Sequence, residues 1–250
     1  MIISELKELC QKAGIKKGNA ICVFSDVANL GIPRETREGI KDNGINFLLD
    51  SYINTFKDLI GEDGLLVMPA FTYSACEGKV FDVDETKSTV GALTERFRKQ
   101  KGVKRSLHPI FSFSAWGKGA KDLMDLKDFD SFGQNSVFEK LYKMNATYVL
   151  FGVNMHRSAT FVLYSEQKNE VYYRYFKDFT VGGVTARYFV RDMDVDYRYS
   201  WVGLEEKGKK LGIIKEFGFG GGEILIMKSQ EIDELIGEEL KRDKDSLISK

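Results

Sequence analysis

The stretch Arg105–Gly119, R-S-L-H-P-I-F-S-F-S-A-W-G-K-G, contains one of only two histidines in the chain. Its apolar run Ile110–Trp116 predicts a strand, and Pro109 fixes the corner that precedes it. Helix-like segments stand on both sides. A buried strand approached through a proline corner holds side chains and N–H groups at one end of a sheet, so this corner and three others are expected to line a shared crevice. Along the run, Ser112 and Ser114 alternate with Phe111, Phe113 and Ala115, so both hydroxyls face one side. They can contact an amide-rich ligand or satisfy a neighbouring strand. His108 can be a catalytic group or the anchor of a turn, held through both ring nitrogens.

Towards the N-terminus, Leu6, Leu9, Cys10 and Ala13 share one face of a helix over Ser4–Ala13, which Gly14 ends. Ala20–Phe24 (A-I-C-V-F) is short and wholly apolar, as a strand buried on both faces is. It runs into Ser25–Gly31 (S-D-V-A-N-L-G), a small polar loop able to offer N–H groups to a ligand or to serve as an ordinary strand-to-helix turn. Leu49, Tyr52, Ile53, Phe56 and Ile60 mark a second helix, and Leu65–Met68 the next strand, which Pro69 diverts out of the sheet. Helix and strand in alternation favour parallel pairing.

Towards the C-terminus, Thr89 is expected to cap a helix over Gly91–Gln100. The basic strip Arg96–Arg105 reads as a solvated face that could still hold phosphate. Ser136 and Glu139 are spaced as a capping box, and Thr147–Gly152 (T-Y-V-L-F-G) is another buried strand. A helix is expected from Thr160 to Lys168. The aromatic and basic run Val171–Phe179 follows, suited to a structural or sugar-facing role. Strands near Arg187–Val190 and Glu223–Met227, and helices over Ser200–Leu211 and Ile232–Leu240, complete the pattern. Gly218 and Gly220–Gly222 lack the Lys-Ser/Thr of a nucleotide loop and read as a tight turn.

A chain of 250 residues, 43% hydrophobic and 30% charged, has ample length for a core. Its 37 basic and 37 acidic residues balance, which argues against nucleic acid as a partner. Cys10, Cys22 and Cys76 have no metal-ligand spacing, so no metal is expected and a reducing, cytoplasmic location fits. There is no leader-like N-terminus and no apolar run near twenty residues, so membrane insertion is not expected. A homodimer stays open. The acid–base candidates are His108, His156 and the carboxylates of Asp26, Asp82 and Glu166.

Five runs occur in one order: G-L-L-V-M-P-A-F-T-Y-S (Gly64–Ser74), F-D-V (Phe81–Val83), G-A-L-T-E-R-F-R (Gly91–Arg98), G-V-K-R-S-L-H-P-I-F-S (Gly102–Ser112) and F-G-Q-N-S (Phe132–Ser136). Together they resemble the aminoglycoside 3-N-acetyltransferase family. Y-R-Y-F-K (Tyr173–Lys177) resembles its branch associated with surface polysaccharides. The likeness spans roughly Ser4–Phe179 and implies one domain over 1–250, a three-layer α/β/α fold with a mostly parallel or mixed sheet, and acetyl-CoA as co-substrate. By position, Ser25, Asp26, Val27, Ala28, Arg105, Ser106, Ser112, Phe113 and Ser114 would hold CoA. Thr72 would lie beside the thioester, and Tyr73, Phe132, Tyr173 and Arg174 would face the acceptor.

One departure bears on catalysis. The family arrangement Thr-x-x-His-x-x-Glu supplies a general base, whereas here Thr160–Glu166 reads T-F-V-L-Y-S-E, with Leu163 in the histidine's place. Only a free amine attacks a thioester, and a positioned base is worth roughly 10²–10⁴-fold. His156 or His108 could reach the amine, or Glu166 could act with its pKa raised by burial. The expectation is therefore N-acetylation of an amino sugar, nucleotide-linked and destined for a glycan. The alternatives are a catalytically silent relative that binds CoA, a sugar or a partner protein, and an aminoglycoside-modifying enzyme.

Overall fold

The computed structural model describes residues 1–125, 130–181 and 183–249. Its helices are α1 (Ser4–Lys12), α2 (Arg37–Asn43), α3 (Ile45–Ile60), α4 (Ala92–Arg98), α5 (Ala120–Met124), α6 (Val137–Lys143), α7 (Met155–Ser158), α8 (Val162–Lys168), α9 (Val202–Lys210) and α10 (Ser229–Arg242). The strands of the main sheet and its flanks are β1 (Ala20–Ser25), β2 (Leu65–Pro69), β3 (Lys104–Arg105), β4 (Phe113–Gly117) and β5 (Thr147–Phe151). They are followed by β6 (Arg174–Val181), β7 (Val184–Arg191), β8 (Arg198–Tyr199), β9 (Lys215–Phe219), β10 (Gly222–Lys228) and β11 (Ile248–Ser249).

Seven strands form the central sheet in the order β3-β4-β2-β1-β5-β10-β9. Only the middle is parallel: β1 pairs with β2 on one side and with β5 on the other. The flanks are antiparallel, because β3–β4 and β9–β10 are joined by short connections, and a parallel pair needs a longer crossover. The period of two divides the apolar residues between two layers. Ile21, Val23, Leu66, Met68, Val149 and Phe151 face α1, α3 and α4. Cys22, Phe24, Val67, Tyr148 and Leu150 face the layer that contains α6, α8 and α10. Phe151 sits edge-on to Tyr52 and Phe56 of α3, with centroids 4.9 and 5.4 Å away.

Several details differ from the sequence reading. Gly91, not Thr89, is the N-cap of α4; the Thr89 hydroxyl donates instead to Phe71 O at 3.3 Å. The ladder of β4 begins at Phe113, because the chain bends between Pro109 and Phe111. Ser136 does cap α6, accepting from Glu139 N at 3.2 Å, while Glu139 accepts from Asn135 N at 2.8 Å. The aromatic run forms β6, which pairs with β7 in a two-stranded sheet of its own.

Two glycines fix how the turns meet. Gly220 (φ +59°), in the β9–β10 turn, lies so close to the Val27–Leu30 turn that a Cβ there would collide with Leu30 O. The glycines are thus a tight turn seated on the β1 loop. Gly152 (φ +75°) follows β5, and a Cβ on it would collide with Asp26 O. Both the left-handed backbone and the missing volume require glycine. Gly152→Ala should lower stability by roughly 1–3 kcal/mol, the scale of a strained backbone position, and a drop in Tm on thermal unfolding is the readout.

Candidate active site

β1 sits between its two parallel neighbours, and the chain leaves the three strands in different directions. In open α/β sheets such a point opens a crevice beyond the carboxyl ends of the strands. Here it has a volume of about 440 Å³ and is walled by Phe24–Asp26, Pro69, Phe71 and Tyr73, Thr89–Gly91, and Val153 with Arg157, Ser158 and Thr160. A second cavity of about 680 Å³ shares Val153 and Arg157 and adds Asn29, Asn154, Glu216 and Glu223.

The floor is held by one backbone bond and one bond from a side-chain amide. Asp26 N donates to Phe151 O at 3.0 Å, and the Asn29 amide donates to Gly152 O at 2.8 Å. Asp26 faces Arg157 across the opening, with Oδ2 3.7 Å from Nη2. Ser25 Oγ is buried and has no hydrogen-bond partner among the described residues. Such a group costs about 1–3 kcal/mol until something meets it.

Of the sequence candidates, Ser25, Asp26 and Tyr73 line this crevice, with Val27 and Ala28 in the turn that follows. The proline corner does not join them, because its polar groups are used inside the protein. Arg105 donates through Nε to Ser112 Oγ, through Nη1 to the carbonyls of Val83 and Thr86, and through Nη2 to Ala70 O, with its guanidinium over Phe81. Burial pulls its pKa down to about 10. Ser112 also donates to Ala70 O at 2.8 Å, and Ser106 Oγ accepts from Phe113 N at 3.0 Å. Ser106, Ser112, Phe113 and Ser114 are fully buried. This cluster braces the Phe81–Thr89 loop against the end of β2 and engages four of the five guanidinium N–H groups inside the protein.

His108 Nδ1 accepts from Ile110 N and Phe111 N, at 3.2 and 2.9 Å. Nε2 lies 3.2 Å from Ser131 Oγ, which itself donates to Arg187 O, so Nε2 carries the proton. The ring is the buried anchor of its turn. His156 is exposed on α7 and does not line the crevice. Asp82 accepts from Asp84 N and Glu85 N, closing its own turn. Thr72 is buried, with its hydroxyl 3.3 Å from Ser74 Oγ. Phe132 is core, packed against Phe111 and Phe138.

Leu163 packs on the core one turn beyond Thr160, and Glu166 follows one turn later, fully buried. Arg174 Nε donates to Glu166 Oε2 at 2.6 Å, and Tyr173 OH donates to Oε1 at 3.1 Å. Arg174 continues to Phe189 O and to the Tyr199 hydroxyl. Burial outweighs the opposing pull of Arg174 and Tyr173 and leaves the Glu166 carboxyl above its ordinary range. Glu166, Tyr173 and Arg174 thus form one buried strut between α8 and the β6–β7 sheet, and neither Tyr173 nor Arg174 lines the crevice. Thr89, Val90, Arg157 and Ser158 line the crevice although the sequence reading passed over them. Their one signal was position, in the turns that follow strands or precede helices.

A three-layer α/β protein with its crevice at the carboxyl ends of three parallel strands is the class that this architecture defines. Residues 43–240 match the family described as aminoglycoside 3-N-acetyltransferase, and the chain belongs to that family. It is 26% identical over 185 residues to the SPbeta prophage-derived aminoglycoside N(3')-acetyltransferase-like protein YokD of Bacillus subtilis (strain 168), a match covering 65% of this chain and 62% of that protein. The crystal structure of a mutant of the aminoglycoside acetyltransferase AAC(3)-IVa in complex with apramycin superposes with a TM-score of 0.77 at 22% identity, covering 96% of this chain and 92% of that one. AAC-IIIb, solved as a binary complex with CoASH, gives 0.76 at 17% identity, covering 97% of both chains. At these identities the likeness establishes the fold. Among the described residues no helix is long and apolar enough to cross a membrane, and no group of three or more His, Cys, Asp or Glu could hold a metal ion.

Burial pulls the His108 imidazole from 6.5 down to about 3. Between those values the unfolded chain binds a proton that folded His108 does not, so stability falls as pH drops through that window. His108→Asn, whose Oδ1 can replace Nδ1 as acceptor, should flatten this part of the Tm-against-pH curve relative to wild type. An unchanged slope in thermal melts from pH 7 to pH 4 would count against the assignment.

Proposed function

We propose that residues 1–250 act as one domain that transfers the acetyl group of acetyl-CoA to an amine of an amino sugar, in the crevice beyond β1, β2 and β5. The observation that carries this reading is the family match over residues 43–240, on a chain whose crevice is lined by both apolar and polar side chains. In this reading the backbone of the turn Ser25–Ala28 meets the pantetheine arm, and Tyr73 lies towards the acceptor.

For the acceptor, the apramycin complex of a protein with this fold supports the aminoglycoside class. Charge supports it too. Acidic side chains suited to a polycation line the cavities, as Asp26, Glu216 and Glu223 do, although Val171–Phe179 has few. This reverses the order expected from the sequence, where a nucleotide-linked amino sugar came first. A negatively charged nucleotide would meet those same carboxylates.

A second reading, a silent relative that keeps only binding, draws on Leu163 and on the engagement of both Glu166 oxygens. The two readings separate by mass spectrometry of aminoglycosides and nucleotide-linked amino sugars incubated with acetyl-CoA, beside thermal shift with CoA alone. Acetylated aminoglycoside is the expected product. Stabilisation by CoA without any product favours the silent relative, and no stabilisation at millimolar CoA overturns both. Leu163→His alone should raise turnover by less than about tenfold, against the 10²–10⁴ of a positioned base. Glu166 is already held by Arg174 and cannot orient the new ring.

A further inference from the structure

Three ionisable side chains line the crevice: Asp26, Tyr73 and Arg157. Burial raises the Tyr73 phenol, so it holds its proton at neutral pH. Arg157 is a cation and has no lone pair to give. Asp26 is a half-buried carboxylate at the end of β1. Its contact with Arg157, at 3.7 Å, is looser than the 2.6 Å contact that engages Glu166. Its oxygens therefore keep acceptor capacity towards the opening. Beside it lies the buried hydroxyl of Ser25, a donor with no partner among the described residues.

Resting on the N-acetyl-transfer reading, we infer that Asp26 is the catalytic residue that collects the proton of the attacking amine, a role that Leu163 cannot fill. The neutral amine attacks the thioester carbonyl carbon. The C–N bond forms, and the carbonyl π pair moves onto oxygen. The nitrogen of this adduct is positively charged and far more acidic than the parent ammonium, so a carboxylate suffices to take its proton. The oxyanion then collapses, the C–S bond breaks, and the CoA thiolate leaves and recovers the proton from Asp26. Amine and acetyl-CoA become amide and CoA with no other reactant. Because Asp26 acts on the adduct and not on the free ammonium, acceptors must arrive neutral, which favours the least basic amine of a polyamino sugar.

The test compares wild type, Asp26→Asn and Asp26→Ala with acetyl-CoA and the aminoglycoside that wild type acetylates, alongside calorimetric CoA binding. Both variants are expected to lose roughly 10²–10⁴-fold in kcat, with the Kd for CoA within about threefold of wild type. Formate and acetate should restore Asp26→Ala at least about tenfold, acetate more than formate, as Brønsted behaviour requires. A merely structural role would show no such rescue. Retention of kcat within about threefold in Asp26→Asn, or loss of CoA binding in step with turnover, overturns the assignment alone. A wild type that binds CoA but acetylates no amine overturns it together with the reading it rests on.

Discussion

The approach of three turns at one end of the sheet sets everything else in this structure. β1 is flanked on both sides by parallel strands, so its outgoing chain has to pass over the end of β5. There it is caught: Asp26 N bonds Phe151 O, Asn29 bonds Gly152 O, and Gly221 N of the β9–β10 turn bonds Leu30 O at 3.0 Å. Backbones this close leave no room for a Cβ at residues 152 or 220. The result is a rigid shelf of short bonds that holds the side chains of Ser25 and Asp26 towards the opening. A site on such a shelf keeps its geometry because shifting it would break main-chain bonds, not merely turn a rotamer.

The second organising contact, Glu166 with Arg174, shows how a residue can outlast a role. A buried carboxylate without a partner is untenable, and removing one member of such a pair typically costs about 3–5 kcal/mol. With leucine at position 163 no ring is there for Glu166 to orient. Arg174, Tyr173 and Tyr199 instead tie helix α8 to the β6–β7 sheet and to β8. The glutamate then supports the fold whatever happens at the crevice, so its presence says little about catalysis.

Periodicity made most of the elements legible in the sequence. The runs at Ala20–Phe24, Leu65–Met68 and Thr147–Phe151 are apolar at every position because both faces of the central strands are covered. The wide apolar face of α3 and the Ser136 cap were visible for the same local reasons. What could not be read was where long polar side chains turn. Arg105 stands in a sequence that suits a phosphate, yet its guanidinium is turned onto carbonyls of residues 19 to 35 positions away. Arg157 lies on the short helix α7, in a run without a distinguishing motif, and tertiary packing alone brings it opposite Asp26. His108 offered two readings, and burial decided between them.

Charge distribution joins the site to its two proposed substrates. With equal numbers of acidic and basic residues, the chain has no net field to draw either one, so any steering is local. A polyanionic coenzyme and a polycationic sugar need opposite surfaces within one opening. Among the described residues Arg157 is the one cation that lines both cavities, with Asp26 opposite it and Glu216 and Glu223 lining the second. In the proposed reading the thioester lies by the apolar side chains of Phe24, Phe71 and Val153 while amine-bearing rings collect against the carboxylates. The reacting nitrogen then meets the carbonyl where the cavities merge, at Asp26. The residue proposed to take the proton where Leu163 cannot is thus the one that the backbone shelf already fixes.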